Sequence, residues 1–132
     1  MPAVDHLNRH VSNVDKFIQF YCTALGYRLL TRGVKANGKP YAILQGDGHE
    51  LFLSEKDGFT SDTEHNFRHI GYAVADADAT LADLKRKGFV EQSREIIVKP
   101  YSRQVYIQDP DGFEIDLIQW TDKEGFYASL GL

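Results

Sequence analysis

Asp47-Gly48-His49-Glu50-Leu51-Phe52-Leu53 and Asp111-Gly112-Phe113-Glu114-Ile115-Asp116-Leu117 are two versions of one phrase, 64 residues apart, with Asp, Gly, Glu and Leu repeated in place. Each opens on an Asp-Gly turn and runs into a strand whose apolar residues alternate with others. Two further landmarks repeat at nearly the same distance. His69 follows His6 by 63 residues, and Gly88-Phe89 follows Gly26-Tyr27 by 62. Agreement of three landmarks within two residues reads as a duplicated unit.

Working outward, the first ten residues read as a strand. Asn13-Val14-Asp15 then offers caps for a helix carrying Phe17, Phe20, Tyr21, Ala24 and Leu25 at helical spacing and ending at Gly26. Tyr27 to Thr31, Tyr41 to Leu44 and Glu50 to Ser54 read as strands, separated by the turns around Lys35 to Pro40 and Gly46-Asp47-Gly48. This is one β-α-β-β-β unit. The order restarts after Phe67: a strand from His69 to Val74, a helix through Thr80, Leu81 and Leu84 ending at Gly88, then strand signals at Phe89, Val105 to Gln108 and Glu114 to Gln119. The expected organisation is a single domain over residues 1–132, with one module over 1–58, a second over 66–121 and a tail over 122–132 able to form a short helix. Lys56 to Asn66, a polar stretch, is the linker.

Alternation along a strand decides which side chains share a face. His6, Asn8 and His10 lie together, opposite Leu7, Arg9 and Val11; Arg9 stands where an apolar residue is expected. His69, Gly71 and Ala73 likewise share a face. In the closing strand of each unit Glu50, Phe52 and Ser54 correspond to Glu114, Asp116 and Ile118. Pairing two such units about a pseudo-twofold axis would bring His6, Phe52, His69 and Asp116 together. Two neutral imidazoles and a carboxylate suit Fe(II), Mn(II), Ni(II) or Zn(II) and leave positions for water and substrate, as a catalytic ion requires. One divalent ion per site is therefore expected on His6, His69 and Asp116. A structural zinc closed by cysteines is disfavoured, because the chain has a single Cys.

Composition bounds the rest. A chain of 132 residues, 42% hydrophobic and 12% aromatic, can build one core and excludes disorder. A net charge of -4 without a basic cluster argues against nucleic acid. No apolar run approaches the roughly 18 residues of a membrane span, and the opening Met1-Pro2-Ala3-Val4-Asp5 lacks a signal-peptide pattern, so a cytoplasmic location is expected. Cys22, in an apolar helical stretch, reads as a core residue.

The sequence resembles the vicinal oxygen chelate superfamily, which includes glyoxalase I, extradiol dioxygenases, fosfomycin-resistance enzymes and bleomycin-binding proteins. The resemblance spans roughly residues 4 to 120. It rests on His6 standing fifteen residues before the Tyr of Phe20-Tyr21, on Leu25-Gly26-Tyr27, on Arg68-His69-Ile70, and above all on Asp109-Pro110-Asp111-Gly112-Phe113-Glu114-Ile115-Asp116-Leu117. It implies an α+β fold of two βαβββ modules forming an open, cup-shaped mixed sheet, commonly as a module-exchanged homodimer with metal between chains. The family usually carries Glu where this chain has Asp116. Glyoxalase I has a further Glu at the position of Phe52, and fosfomycin-resistance enzymes have Thr at that of Asn8.

The chemistry implied is chelation of two adjacent substrate oxygens, with the ion taking up charge on an enolate, alkoxide or catecholate. His10 and Tyr106 are the candidates for moving a proton, and Asn8, Phe52 and Gln104 for lining the pocket, with Glu50 also facing inward and Glu114 able to support the metal. The expected function is a metal-dependent lyase, isomerase or dioxygenase acting on a small metabolite. The alternative is a metal-free protein that binds an antibiotic or other aromatic ligand. The loops Val34 to Pro40 and Ser93 to Arg103, which choose the substrate, carry no motif that names it.

Overall fold

The chain divides into two compact units, each carrying its own four-stranded mixed sheet. The structure, a computed structural model, describes residues 1–61 and 67–132; residues 62–66, the end of the expected linker, lie outside the described residues. The first unit comprises Met1–Asp62 with the turn Asp109–Gly112, and the second Thr63–Gln108 with Phe113–Leu132.

In the first unit β1 (His6–Val11), α1 (Val14–Leu25), β2 (Arg28–Val34), β3 (Pro40–Gln45) and β4 (Glu50–Glu55) follow one another, and the sheet order is β1-β4-β3-β2. β1 runs parallel to β4 with His6 opposite Glu50 and Asn8 opposite Phe52; the other pairings are antiparallel. The parallel pair is possible because α1 carries the chain across. α1 starts where Asn13 accepts a hydrogen bond from the Lys16 amide at 3.0 Å, and stops where Gly26 adopts a left-handed φ of 73°. Its apolar stripe of Val14, Phe17, Phe20 and Tyr21 is buried on the face of the sheet that presents Leu44, Leu51 and Leu53. Burial of each large apolar side chain contributes about 1.5–3 kcal/mol.

The second unit repeats the plan with β5 (Ile70–Ala73), α2 (Ala77–Arg86), β6 (Ile97–Lys99), β7 (Ser102–Gln108) and β8 (Glu114–Trp120), in the order β5-β8-β7-β6. Its core is Leu81, Leu84, Val105, Ile107, Ile115 and Leu117. The duplication reaches individual hydrogen bonds. The Val14 amide at the start of α1 donates to Glu55 Oε1 at 2.9 Å, and the Ala77 amide at the start of α2 donates to Gln119 Oε1 at 2.9 Å. The tail forms α3 (Lys123–Ser129), capped by Asp122, as the sequence allowed.

Two details differ from the sequence reading. Phe89 does not open a strand: Gly88 is left-handed at φ 81° and the Phe89 amide donates back to the Leu84 carbonyl at 3.0 Å, so Phe89 closes the helix. The strand equivalent to β2 comes later, as β6, inside the stretch read as the loop Ser93 to Arg103.

Candidate functional site

Arg9, the residue the pattern left unexplained, lies within the first unit against the buried carboxylate of Asp109. Its Nη1 donates to Asp109 Oδ2 at 2.9 Å and to Tyr21 Oη at 2.7 Å, and Tyr21 Oη donates to the same Asp109 oxygen at 3.2 Å. The Asp111 carboxylate accepts from the backbone amide and hydroxyl of Ser12. The Asp-Pro-Asp-Gly motif thus serves structure: its two acids hold the turn in the first unit, while the strand that follows it carries Asp116.

Within the second unit β5, β7 and β8 bring His69, Gln104, Tyr106 and Asp116 together around one cleft of about 580 Å³, a size that suits a small organic ligand. Asp116, paired with Gly71 on β5 and Tyr106 on β7, is buried at 6% exposure. Gln104 Nε2 donates to Asp116 Oδ2 at 2.6 Å, and Ser102 Oγ donates to Gln104 Oε1 at 3.0 Å, so the amide is held with its nitrogen toward the carboxylate. His69 Nε2 stands 4.0 Å from Asp116 Oδ2, and its ring meets that of Tyr106 edge-on at 5.9 Å.

Among the described residues two buried atoms here have no hydrogen-bond partner: Asp116 Oδ1 and His69 Nδ1. Glu114 Oε1 is 3.7 Å from His69 Nδ1, beyond hydrogen-bond reach. A buried carboxylate oxygen and a buried ring nitrogen left without partners are costly to keep, and a carboxylate and a neutral imidazole side by side are ligand types that a divalent ion takes. These two residues therefore fit a metal. Among the described residues no group of three or more His, Cys, Asp or Glu is gathered into a metal-binding cluster. His6, the third expected ligand, lies in the first unit, stacked on Phe52 at 4.6 Å and with Nδ1 2.8 Å from Asp5 Oδ2. On the same face, Asn8 Oδ1 accepts from Ser54 Oγ at 3.3 Å, and exposed His10 lies near the Phe59 ring at 6.2 Å. Cys22 is half-buried, and burial pushes its thiol up, away from the reactive thiolate.

Burial also raises the Asp116 carboxyl above the usual carboxylate range, against the opposing pull of Gln104, His69 and Lys99. The folded state consequently holds this proton more tightly than the unfolded chain, and ionised Asp116 costs stability as pH rises through its raised folded value. Asp116→Asn is expected to stabilise metal-stripped protein at neutral pH. The gain should disappear in acid below the ordinary carboxylate range, which urea unfolding across pH would reveal; a gain independent of pH would contradict the assignment.

Sequence reasoning missed Lys99, Ser102 and an aromatic wall of Tyr101, Trp120 and Phe126, all lining the cleft. Ser102 was reachable, since it stands two residues before Gln104 on the same face of a strand. Nothing in the sequence placed Lys99 beside Tyr106.

A model of the Glyoxalase/Bleomycin resistance protein/Dioxygenase superfamily matches residues 3–117, most of the chain. The chain belongs to this superfamily. Among glyoxalase-superfamily relatives, it is 28% identical over 131 residues to a probable lactoylglutathione lyase of Synechocystis sp., covering 90% of this chain and 96% of the relative. It is 27% identical over 135 residues to the metallothiol transferase FosB of Lysinibacillus sphaericus, covering 95% and 89%. The fold is also that of a glyoxylase/bleomycin resistance protein/dioxygenase domain from Frankia sp. EAN1pec, with a TM-score of 0.76 at 20% identity over 91% of this chain and 98% of that one. No helix among the described residues is long and apolar enough to cross a membrane.

Proposed function

We propose that the chain is a metal-dependent enzyme of glyoxalase type, acting on a small metabolite with adjacent oxygen atoms by lyase, isomerase or dioxygenase chemistry. The observation that carries this reading is the pair of unpartnered buried atoms, Asp116 Oδ1 and His69 Nδ1, on two residues that line a ligand-sized cleft. Kinship with a probable lactoylglutathione lyase and with FosB supports it. His69 and Asp116 would hold the ion, and the repeat equivalence of His6 with His69 nominates His6 as the third donor. A bound divalent ion supplies Lewis acidity toward two adjacent substrate oxygens.

The chain's own residues do the remaining work. Gln104 fixes Asp116 through Oδ2 and leaves Oδ1 without a partner among the described residues; the carboxylate, which only accepts, keeps the amide nitrogen turned toward it, and the Ser102 hydroxyl holds the amide oxygen. Tyr106 Oη, 3.5 Å from Lys99 Nζ and opening into the same cleft, is placed to hold or return a proton on a substrate oxygen. His10 does not line this cleft, and its part as a base is read by the activity of His10→Ala.

Metal analysis of the purified protein tests the reading. About one equivalent of metal per chain is expected, falling to none in His69→Ala and His6→Ala. Wild-type protein that takes up no divalent metal would overturn it and favour a metal-free binding protein. Oxygen consumption with a panel of catechols then separates dioxygenase chemistry from redox-neutral proton transfer.

A further inference from the structure

The lining of the second unit's cleft is divided by character. At one end are His69, Asp116 and Tyr106, with the exposed ammonium of Lys99 against the Tyr106 ring, its Nζ 5.8 Å from the centroid. Lys99 Nζ also lies 3.5 Å from Tyr106 Oη, and its charge is felt at Asp116. At the other end Phe126 of α3 packs against Trp120 at 5.2 Å and Tyr101 at 6.2 Å. Asp116, Ile118 and Trp120 all line the cleft, as alternate residues of β8 on one face should. Four steps along the strand separate the carboxylate from the indole, roughly 13 Å at about 3.3 Å per residue.

From this division we infer that the substrate is an aromatic acid: a ring seated on Trp120 and Phe126, joined by a short chain to an anionic head with adjacent oxygens that Lys99 selects. An exposed ammonium beside the reacting end favours a carboxylate head over an alcohol, because a charge-assisted hydrogen bond is about twice as strong as a neutral one. Aromatic faces add affinity for a flat ring beyond the area they cover. The inference rests on the functional reading above for which end reacts, but not for the selection itself.

Calorimetric titration of the full chain with phenyllactate, lactate and a phenylpropanediol tests it, with metal-stripped and metal-supplied protein in parallel. Trp120, the single tryptophan, gives a second signal through its fluorescence. Phenyllactate is expected to bind roughly tenfold more tightly than either partial probe. Lys99→Gln should lower phenyllactate affinity about tenfold while moving the diol less than about twofold, and Phe126→Leu should weaken both aromatic probes while sparing lactate. Selectivity that persists in protein unable to take up metal would sustain this inference while the metal reading fails. Metal uptake accompanied by equal affinity for the three probes, by no binding of any, or by an unchanged preference in Lys99→Gln would overturn the inference and leave the metal reading standing.

Discussion

Asp109→Ala is expected to destabilise the protein by about 3–5 kcal/mol, the loss found when one member of a buried ion pair is removed. The Asp109 side chain is fully buried and that of Arg9 is 15% exposed, so solvent cannot replace the lost carboxylate. Asp109 Oδ1 also accepts from the Asp111 amide at 3.0 Å, and the truncation opens that turn as well. Arg9→Met should cost a comparable amount by removing the cation that faces the buried carboxylate. The double variant should be clearly less destabilised than the sum of the two, because the stranded charge that dominates each single loss is then gone. Tyr21→Phe, which removes only a hydroxyl shared between the two charges, should cost about 1 kcal/mol. Urea unfolding of the four variants measures all of these. Additive losses each below about 1 kcal/mol would mean that the pair is solvated and that Arg9 is an ordinary surface residue.

This network also marks where sequence reading succeeds and where it stops. The cap of α1, the Gly-terminated helices and the repeated Asp-Gly turns were legible because their causes are local: a side-chain acceptor three residues from its amide, or a glycine that alone takes positive φ without strain. The face assignment of β1 was legible through alternation, and the structure leaves His6, Asn8 and His10 exposed while burying Val11. Arg9 was not legible, since its partner stands 100 residues away in the chain. β6 was missed for a different reason. Its three residues Ile97–Lys99 are all exposed, so no alternation between a wet and a dry face is written into them. Phe89 misled because an apolar residue after a glycine serves equally as a strand start or a helix closure, and the hydrogen bond to Leu84 decides between them. At the candidate site the repeat and strand alternation set His69 and Asp116 on matching faces, and the structure places both on one cleft. The Ser102–Gln104–Asp116 chain was not legible, because it depends on rotamers rather than on spacing.

Zinc affinity is where the largest effect is expected. Asp116→Ala should lower it by more than about 100-fold, beyond the range seen when a group that merely supports a ligand is removed. Gln104→Leu is such a supporting change: it frees Asp116 Oδ2 from its 2.6 Å hydrogen bond, lets the carboxylate rotate, and should cost about tenfold. Asp116→Glu keeps the carboxylate and adds one methylene, matching the residue the family usually has here, and should remain within about tenfold of wild type. The order Asp116→Ala, then Gln104→Leu, then Asp116→Glu is the informative result, because a general loss of packing would rank the changes by volume instead. Competition with a chromophoric chelator measures the constants, and proton release on binding, read by calorimetry in buffers of different ionisation enthalpy, provides an independent signal. If the three variants bound zinc as wild type does, the unpartnered Asp116 Oδ1 would have to be explained by the organic ligand of the cleft and not by a metal.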